Sequence, residues 1–407
     1  MPKADHEQRL NPNTEKIKSH SKRYHMMNSL ERVLLTLRHE EPDRVPVGEW
    51  GIDHDHVSKI LGRHTYWRNR KDCTLAFWEG RRDEVVASEI GDYTDLIKKL
   101  DHDLLPVHLV APKNYKVSDP PKKTGDGIWR DSQGVEYIYA ASNDSIVAVT
   151  EPAPGKEQLE DADIQAWKNG VMDIDEAQFE LVDAILGAFG SEKAVVFRDI
   201  SVFSPLLEPF GGNQEHRLII PVVAPEEVLK MHDPVFEYNK KLIDLLHDRG
   251  VRFLMAGNDL GDNKSCIYPP NTLRKIFFPL LKRVVQYARL KDMHFFFHCC
   301  GNVWEVLDDF VDAGMEAYQS IQFSAGMDWK KVKELYGARL TLWAGIQCET
   351  LVQGSEKEVE NEVRKYLDIL MPGGGFIFGS TNSVQFGAKT GNYLQALELV
   401  RKHGIYR

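Results

Sequence analysis

The first amphipathic pattern in the chain begins at Asn28 and predicts a helix. Asn28 and Glu31 have the spacing of a capping box, in which each side chain accepts a hydrogen bond from the other residue's backbone N–H. The apolar positions that follow fall on one helical face: Leu30, Val33, Leu34 and Leu37. Pro42 ends this helix, and residues 44–47 are predicted to begin the first strand.

Beyond this helix, short apolar runs alternate with helical patterns. Strands are predicted near residues 45, 105, 195, 253, 295, 317, 341 and 376, and the main helices at 161–187, 225–248, 271–291, 303–312, 328–336, 355–370 and 393–403. This alternation predicts an α/β protein with a parallel sheet, and eight units fit a closed (β/α)8 TIM barrel with an N-terminal helical extension. A doubly wound open sheet is the alternative, although no G-x-G-x-x-G motif follows the early strands.

Residues 112–154 interrupt the alternation. Turn signals at 125–127 and 133–134 separate short runs that are rich in β-branched and aromatic residues, and they predict a β-hairpin-like insertion. The chain is therefore expected to consist of a polar N-terminal tail, residues 1–27, and a single TIM-barrel domain, residues 28–407, that carries the insertion.

Composition and charge narrow the class of protein. Of the 407 residues, 42% are hydrophobic and 28% are charged, which is typical of a soluble globular protein. A net charge of -10 argues against nucleic acid and anionic membranes as partners, because both bind basic surfaces. No apolar run approaches the ~20 residues of a membrane span, and the N-terminus lacks the apolar segment of a secretory signal.

The cysteine content indicates the redox environment. The chain has five cysteines, an odd and sparse number that does not suggest a disulfide scaffold. The expected location is the cytoplasm, where reduced thiols are available for metal binding or catalysis.

In a TIM barrel the chemistry lies at the carboxyl ends of the strands. The predicted strand ends carry a polar set that is able to bind a metal: Glu49, Trp50, Arg198, Asp199, Asn258, Asp259, His298, Cys299, Cys300, Gln322, Gln347, Cys348 and Ser380.

A His-x-Cys pair is the most specific part of this set. His298 and Cys300 are two residues apart, so their side chains leave an extended strand on the same face. Cys348 ends a strand two βα steps later and adds a second sulfur, and such a set suits catalytic zinc with an open fourth position. Cys299 points the other way and is predicted to be a core residue. The alternative is that no metal binds, since free cysteine is among the most buried residue types.

Other strand-end residues have two interpretations each. Asn258 and Asp259 suit substrate contact or proton transfer, but both residue types also favour turns and helix caps. The Arg198-Asp199 pair is either an anchor for an anionic substrate or an internal ion pair. Glu49 is a fourth metal ligand, an acid–base group or a brace of the barrel rim. Two histidines are expected on the surface: His54 and His56.

Several motifs together resemble uroporphyrinogen-decarboxylase-like proteins, in matching order over roughly residues 28–404. They are Glu41-Pro42-Asp43-Arg44-Val45-Pro46-Val47, Gly257-Asn258-Asp259-Leu260-Gly261, His298-Cys299-Cys300-Gly301-Asn302-Val303, Trp343-Ala344-Gly345-Ile346 and Gly373-Gly374-Gly375-Phe376-Ile377-Phe378. The resemblance implies a single TIM barrel. It also implies one of two activities, decarboxylation of uroporphyrinogen or methyl transfer to or from a cobalt corrinoid that a separate small protein carries.

Two features favour the methyltransferase branch of this superfamily. The Arg-rich N-terminal signature of the decarboxylases is missing from the sequence, and the His298-x-Cys300 pair is similar to the zinc site of the methyltransferases. One feature departs from the coenzyme M branch, which has a further zinc cysteine in the last glycine-rich strand. Residues 378–382 contain no cysteine, so Cys348 is predicted to replace it and methoxylated aromatics are favoured as methyl donors.

This interpretation implies a mechanism and a set of roles. Zinc acts as a Lewis acid on the ether oxygen and stabilises the phenolate that leaves as cobalt(I) takes the methyl group. Aromatic residues near the rim clamp the ring or simply pack the barrel: Trp50, Phe203, Phe210, Tyr318 and Phe323. The predicted catalytic residues are Glu49, Asn258 and Asp259. The predicted substrate-binding residues are Trp50, Arg198, Phe203, Tyr318 and Gln322, and the predicted metal ligands are His298, Cys300 and Cys348.

The expected function is thus zinc-dependent methyl transfer from a small donor, a methoxylated aromatic, to the cobalt(I) of a corrinoid protein. Alternatives are a methylcorrinoid:thiol methyltransferase, a porphyrinogen decarboxylase and a non-enzymatic corrinoid-binding scaffold. Expected partners are the corrinoid protein and the methyl donor, and the sequence leaves open whether the chain forms a homodimer.

Overall fold

The structure is a computed structural model and describes residues 27–149 and 155–406. In this part of the chain there are eleven strands. They are β1 (Leu104–Val107), β2 (Lys122–Gly125), β3 (Ile128–Arg130), β4 (Glu136–Ala140), β5 (Ser145–Val149), β6 (Ala194–Ile200), β7 (Phe253–Gly257), β8 (His294–Cys299), β9 (Ala317–Ser320), β10 (Thr341–Ile346) and β11 (Phe376–Ser380).

The helices surround the strands and connect them. They are α1 (Ser29–Leu37), α2 (His54–Leu61), α3 (Arg70–Trp78), α4 (Arg82–Leu100), α5 (Asp161–Val171), α6 (Glu180–Phe189), α7 (Ser204–Leu207), α8 (Gln214–Val223), α9 (Pro225–Leu229), α10 (His232–Asp248), α11 (Pro270–Ile276), α12 (Phe278–Arg289), α13 (Leu307–Ala313), α14 (Trp329–Tyr336), α15 (Cys348–Gln353), α16 (Glu356–Leu370) and α17 (Thr390–His403). Within the described residues, no helix combines the length and the apolar character that a membrane crossing requires.

Seven parallel strands form one curled sheet in the order β1-β6-β7-β8-β9-β10-β11. The first predicted strand closes it, because Val47 bridges Phe378 of β11 and Gly48 bridges Leu104 of β1. This closing segment is short because Pro46 has no N–H to donate, although its carbonyl oxygen accepts from Phe378 N at 2.9 Å. The α/β barrel fold is confirmed, with its eighth strand reduced to single bridges.

Helix α1 covers the amino-terminal end of the barrel. The predicted capping box is present, with Glu31 N donating to Asn28 Oδ1 at 2.8 Å. Val33 and Leu37 pack into a cluster with inward-facing side chains of the barrel strands, among them Phe296. This apolar plug closes the lower end, so polar side chains have room only at the carboxyl ends of the strands.

A buried ion cluster ties α1 to the closing segment. Asp103 is fully buried and accepts from Arg32 Nη1 at 2.7 Å and from Arg44 Nη1 at 2.7 Å. Its second oxygen also accepts from Val47 N at 2.8 Å. The carboxylate therefore holds the barrel seam with charge-assisted hydrogen bonds.

The region of the predicted insertion forms a four-stranded antiparallel sheet in the order β2-β3-β4-β5. It has more strands than the hairpin that the turn signals predicted. Residues 150–154 of the predicted insertion and residues 1–26 of the predicted tail lie outside the described residues.

Two predicted helices are each divided in two. Pro234, in the first turn of α10, prevents one continuous helix through α9 and α10. Proline has no backbone N–H to donate, and its ring would clash with the carbonyl of Lys230. Pro279 separates α11 from α12 in the same way. The surface prediction for His56 was wrong. Its ring is buried, with Nδ1 2.8 Å from Thr390 Oγ1 and Nε2 2.9 Å from the carbonyl of Gln385.

Candidate metal and substrate site

A cavity of about 400 Å³ opens at the carboxyl ends of the barrel strands. The strand-end positions predicted from the sequence that line it are Trp50, Arg198, Asp199, Asn258, Asp259 and His298. Arg198, Asp199 and His298 lie near the carboxyl ends of β6 and β8, and the other three directly follow the closing segment and β7. Neighbouring strand ends thus bring these residues together, as a barrel requires.

Three side chains beside this cavity, of which Asp259 and His298 line it, hold their ligand atoms within 4.8 Å of one another: Asp259, His298 and Cys300. His298 Nε2 lies 3.3 Å from Cys300 Sγ and 3.7 Å from Asp259 Oδ1. The same carboxylate oxygen accepts from Cys300 N at 3.3 Å. One imidazole, one thiol and one carboxylate form a donor set that binds zinc in proteins, so these residues fit a zinc ion.

The loops that carry Asp259 and Cys300 lie against each other. Gly301 has φ +79°, and a Cβ there would come within 2.3 Å of the backbone of Gly261. Asn302 N donates to the carbonyl of Asp262 at 2.7 Å. The glycines of the two motifs are therefore needed for the close approach that places Asp259 beside Cys300.

Gln319 of β9 fixes the orientation of His298. Its Oε1 contacts His298 Nδ1, and its Nε2 donates to the carbonyls of Ser380 and Asn382, both at 3.2 Å. Because the amide N–H groups are used, Oε1 faces the ring and accepts from Nδ1–H, leaving Nε2 free as a metal ligand. Burial lowers the pKa of His298, which favours this neutral form.

The thiol of Cys300 has several polar neighbours. Asn382 Nδ2 lies 2.9 Å from Cys300 Sγ, and the hydroxyl of Ser320 lies 3.8 Å away. Ser320 has φ +118° and the next residue, Ile321, has φ +50°, which are strained values for side chains of this size. Burial raises the pKa of Cys300, so the thiol keeps its proton until a cation replaces it.

Cys348 lies outside this group of three. It is the first residue of α15, and its thiol lies 3.7 Å from the carbonyl of Ser383 and 3.8 Å from Thr381 Oγ1. Burial raises the pKa of Cys348 to about 11. The start of a helix places this side chain against the loop after β11, and Cys348 is not among the three residues whose ligand atoms all lie within 4.8 Å of one another. Its role as a metal ligand stays a prediction.

Cys299 is a core residue, as predicted. It is fully buried, and its sulfur accepts from Leu260 N at 3.3 Å. The alternation of side chains along β8 thus separates a packing thiol from the thiol at the site.

Glu49 is buried behind the cavity. Its carboxyl accepts from Ser380 N at 2.8 Å and from Ser380 Oγ at 2.6 Å, and the hydroxyl of Tyr393 also contacts it. Burial raises the pKa of Glu49 to about 8. Tyr393 in turn lies 2.9 Å from His102 Nε2, so the carboxyl belongs to an internal polar chain.

Arg198 and Asn258 have unpaired polar atoms at the cavity. Among the described residues, Arg198 Nε and Asn258 Oδ1 are buried and have no hydrogen-bond partner. The guanidinium donates from Nη1 to the carbonyl of Trp50 at 3.1 Å, and its Cζ lies 5.3 Å from the centroid of that indole. Asp199 is not within ion-pair distance of Arg198, since no ion pair in the described chain includes either residue.

The other predicted substrate residues lie away from this cavity. Phe203 is buried against Tyr268 and Phe277, and Tyr318 is a core residue whose hydroxyl donates to the carbonyl of Cys299 at 3.0 Å. Gln322 lines a second cavity, of about 290 Å³, together with Cys348. Two aromatic residues complete the set: Phe210 is buried, and Phe323 is exposed beside Trp329.

Several site residues carried no recognised signal in the sequence. The cavity is also lined by Arg68, Arg70, Ser201, Asn382 and Ser383. Arg68 and Arg70 come from the loop and helix start after α2, and no motif marks them. Gln319 had a usable signal, because a polar residue interrupts the apolar strand β9 and pairs with His298 in register.

Comparison with known proteins agrees with the barrel. Residues 218–403 match the family model of uroporphyrinogen decarboxylase. A methyltransferase from Methanosarcina mazei has a similar structure, with a TM-score of 0.62 and 16% sequence identity over 92% of this chain and 98% of that chain. The predicted resemblance to uroporphyrinogen-decarboxylase-like proteins is confirmed.

Other solved structures are more distant. An IOLI protein with a bound zinc atom has a TM-score of 0.34 and 12% identity over 62% of this chain and 92% of that chain. A type I 3-dehydroquinate dehydratase from Clostridium difficile has a TM-score of 0.29 and 13% identity over 57% of this chain and 78% of that chain. No curated protein sequence matches this chain significantly.

Proposed function

We propose that this chain, whose residues 218–403 match the family model of uroporphyrinogen decarboxylase, is a corrinoid-dependent methyltransferase. The methyl donor in this proposal is a methoxylated aromatic, and the acceptor is the cobalt(I) of a corrinoid that a separate protein carries. The ligand set of Asp259, His298 and Cys300 supports the proposal most strongly, because a decarboxylase of this superfamily needs no such metal-binding group.

Zinc would be held by His298 and Cys300 with Asp259 as the third ligand, and when bound it would supply Lewis acidity for the ether oxygen. Gln319 keeps the His298 ring in place, because its amide is itself anchored on two backbone carbonyls. Trp50 supports the other side of the ring, with stacked centroids 4.6 Å apart. The chain therefore presents a preorganised nitrogen ligand.

The cavity walls would orient the donor. Arg198, Asn258 and Trp50 line the space beside His298, and among the described residues Asn258 Oδ1 has no hydrogen-bond partner. The transfer breaks the bond between the methyl carbon and the ether oxygen and forms a bond between that carbon and cobalt. The phenolate that leaves then takes up one proton from solvent.

The experiment is metal analysis followed by an assay with a methoxyarene and reduced corrinoid protein. Wild-type protein should contain zinc near one ion per chain and should form methylcorrinoid and the phenol. The Cys300→Ala variant should lose both zinc and activity. The control variant Cys73→Ala removes a thiol that contacts the carbonyl of Tyr66, and it should keep both zinc and activity.

Three outcomes would contradict the proposal. Full turnover by zinc-free wild-type protein would show that the reaction does not need the metal. Methyl transfer only from methylcorrinoid to a thiol would favour the thiol methyltransferase, in which zinc lowers the pKa of the acceptor thiol. Release of carbon dioxide from a porphyrinogen would favour the decarboxylase.

A further inference from the structure

The side-chain amide of Asn382 lies against the thiol of the candidate metal site. Asn382 follows β11, and its Nδ2 is 2.9 Å from Cys300 Sγ. Two other polar side-chain atoms near this sulfur are His298 Nε2, at 3.3 Å, and Ser320 Oγ, at 3.8 Å. Of these three contacts, the amide of Asn382 makes the shortest.

The backbone around Asn382 is bound to two strands of the barrel. Thr381 N donates to the carbonyl of Ile346 at 3.0 Å, and the carbonyl of Thr381 accepts from the hydroxyl of Ser320. The carbonyl of Asn382 itself accepts from Gln319 Nε2 at 3.2 Å. Because β9 and β10 hold this part of the chain, the side chain of Asn382 extends from a fixed backbone position.

Successive residues after β11 contact different thiols. Thr381 Oγ1 lies 3.8 Å from Cys348 Sγ, and the carbonyl of Ser383 lies 3.7 Å from the same sulfur. Asn382, between them in the sequence, contacts Cys300 instead. It also borders both the main cavity, of about 400 Å³, and the second cavity, of about 290 Å³. The two thiols therefore have separate polar partners, and the amide belongs to the thiol of the candidate metal site.

This contact becomes stronger when a metal cation replaces the proton of the thiol. A thiolate sulfur accepts hydrogen bonds and has none to donate, so the amide of Asn382 has to present an N–H to it rather than its oxygen. A hydrogen bond to a charged acceptor is stronger than one to a neutral acceptor. Such a bond withdraws electron density from the sulfur, and hydrogen bonds to a ligand sulfur are one means by which proteins tune a bound metal.

We propose that Asn382 is a positioning residue that tunes the metal site through Cys300. Its N–H donates to the thiolate, so less negative charge passes from the sulfur to a bound zinc ion, which keeps more of its Lewis acidity. A more acidic ion stabilises the phenolate better as it leaves. This inference rests on the zinc site of the proposed function and adds a residue that lies outside the group of three ligands.

The test is the absorption spectrum of the full-length protein in which cobalt(II) takes the place of zinc. A thiolate ligand gives cobalt(II) a sulfur-to-metal charge-transfer band, and the energy of this band falls when the sulfur loses a hydrogen bond. Wild-type protein and Asn382→Leu, whose side chain has a similar size and no N–H, should bind cobalt(II) with the same stoichiometry. The band of Asn382→Leu should lie at longer wavelength.

A kinetic measurement complements the spectrum. In the methyl transfer assay with zinc, Asn382→Leu should lower kcat by about tenfold, because the ion stabilises the leaving phenolate less well. KM for the methyl donor should stay within about twofold of the wild-type value, because the amide acts on the metal ligand rather than on binding of the donor.

The matched control is Gln385→Leu, which removes an exposed amide further along the same loop and should leave the band at the wild-type wavelength. An unmoved band in Asn382→Leu would overturn the inference. Asn382→Ala serves as a second variant without the N–H. Loss of cobalt binding by both variants would also overturn the inference, because the amide would then be needed to form the site rather than to tune it.

The outcomes separate this inference from the proposed function. A shifted band in a protein that transfers no methyl group would contradict only the proposed reaction. An unshifted band together with normal methyl transfer would contradict only the role of Asn382. Failure of wild-type protein to bind cobalt(II) or zinc would contradict the metal site, and with it both proposals.

Discussion

The imidazole of His298 is stacked on the indole of Trp50, with centroids 4.6 Å apart and planes inclined by 8°. Gly257 pairs with His298 in the neighbouring strand and makes this stack possible, since a Cβ there would come within 3.3 Å of the indole. Gln319 holds the opposite nitrogen, Nδ1. Ring plane and tautomer are thus both fixed, and Nε2 faces Cys300 and Asp259.

This arrangement predicts that Gln319→Leu weakens zinc binding by about 10–100-fold, because the partner that fixes a histidine ligand is lost. The measurement is competition with a chromophoric chelator at constant pH. Gln286→Leu, at an exposed position on α12, is the control and should bind zinc like wild-type protein. Equal affinities of the two variants would mean that the amide does not orient the ligand.

The identity of the third ligand gives a second prediction. Asp259→Asn should weaken zinc binding by about tenfold or more, and Cys348→Ala should have a smaller effect, because Asp259 lies within the group of three and Cys348 does not. Zinc content and chelator competition distinguish the two variants. A larger loss in Cys348→Ala would restore the ligand set predicted from the sequence.

Glu49 predicts a pH dependence of stability. Folding raises the pKa of Glu49 from 4.5 to about 8, so between these pH values the folded chain holds a proton that the unfolded chain has lost. The free energy of unfolding therefore falls as pH rises through this range. The fall amounts to at most about 5 kcal/mol and levels off above the folded pKa.

Glu49→Gln should remove this fall, as measured by urea unfolding at a series of pH values. Glu40→Gln replaces an exposed carboxylate and should follow the wild-type profile. Parallel profiles for wild-type protein and Glu49→Gln would show that the buried carboxyl is ionised in the folded protein at neutral pH.

Asp103 predicts a large contribution to stability at the barrel seam. Asp103→Asn leaves Arg32 and Arg44 without their shared carboxylate and should cost about 3–5 kcal/mol of unfolding free energy, as breaking a buried ion pair does. Urea unfolding at neutral pH measures this loss. Glu40→Gln breaks the exposed pair with Arg38 and should cost less than about 1 kcal/mol. Similar losses in both variants would contradict a structural role for the seam cluster.

Local patterns predicted most of the fold. The capping box at Asn28, the apolar runs of the strands and the order of the motifs are properties of neighbouring residues, and they identified the barrel. The divided helices also have a local cause, because Pro234 and Pro279 lie in the first turns of α10 and α12, where the predicted helices divide. Pro46 is likewise a local sequence feature, and it accounts for the short closing segment at the first predicted strand.

Contacts between distant segments could not be predicted in this way. His56 lies on an amphipathic helix, and only packing against α17 and its preceding loop buries it. Phe203 and Tyr318 stand near strand ends, but their side chains turn into the core. Arg68 enters the cavity from a loop with φ +53°, which no spacing rule anticipates.

The sequence by itself determined the eight-unit barrel, the rim at which the chemistry lies and the pairing of His298 with Cys300, because strand periodicity fixes which side chains share a face. Only the tertiary structure showed that Asp259 lies in one group with His298 and Cys300, and that Arg198 lines the cavity beside it. The reason is physical: such distances depend on how loops after different strands pack together, and that packing is set by the whole barrel.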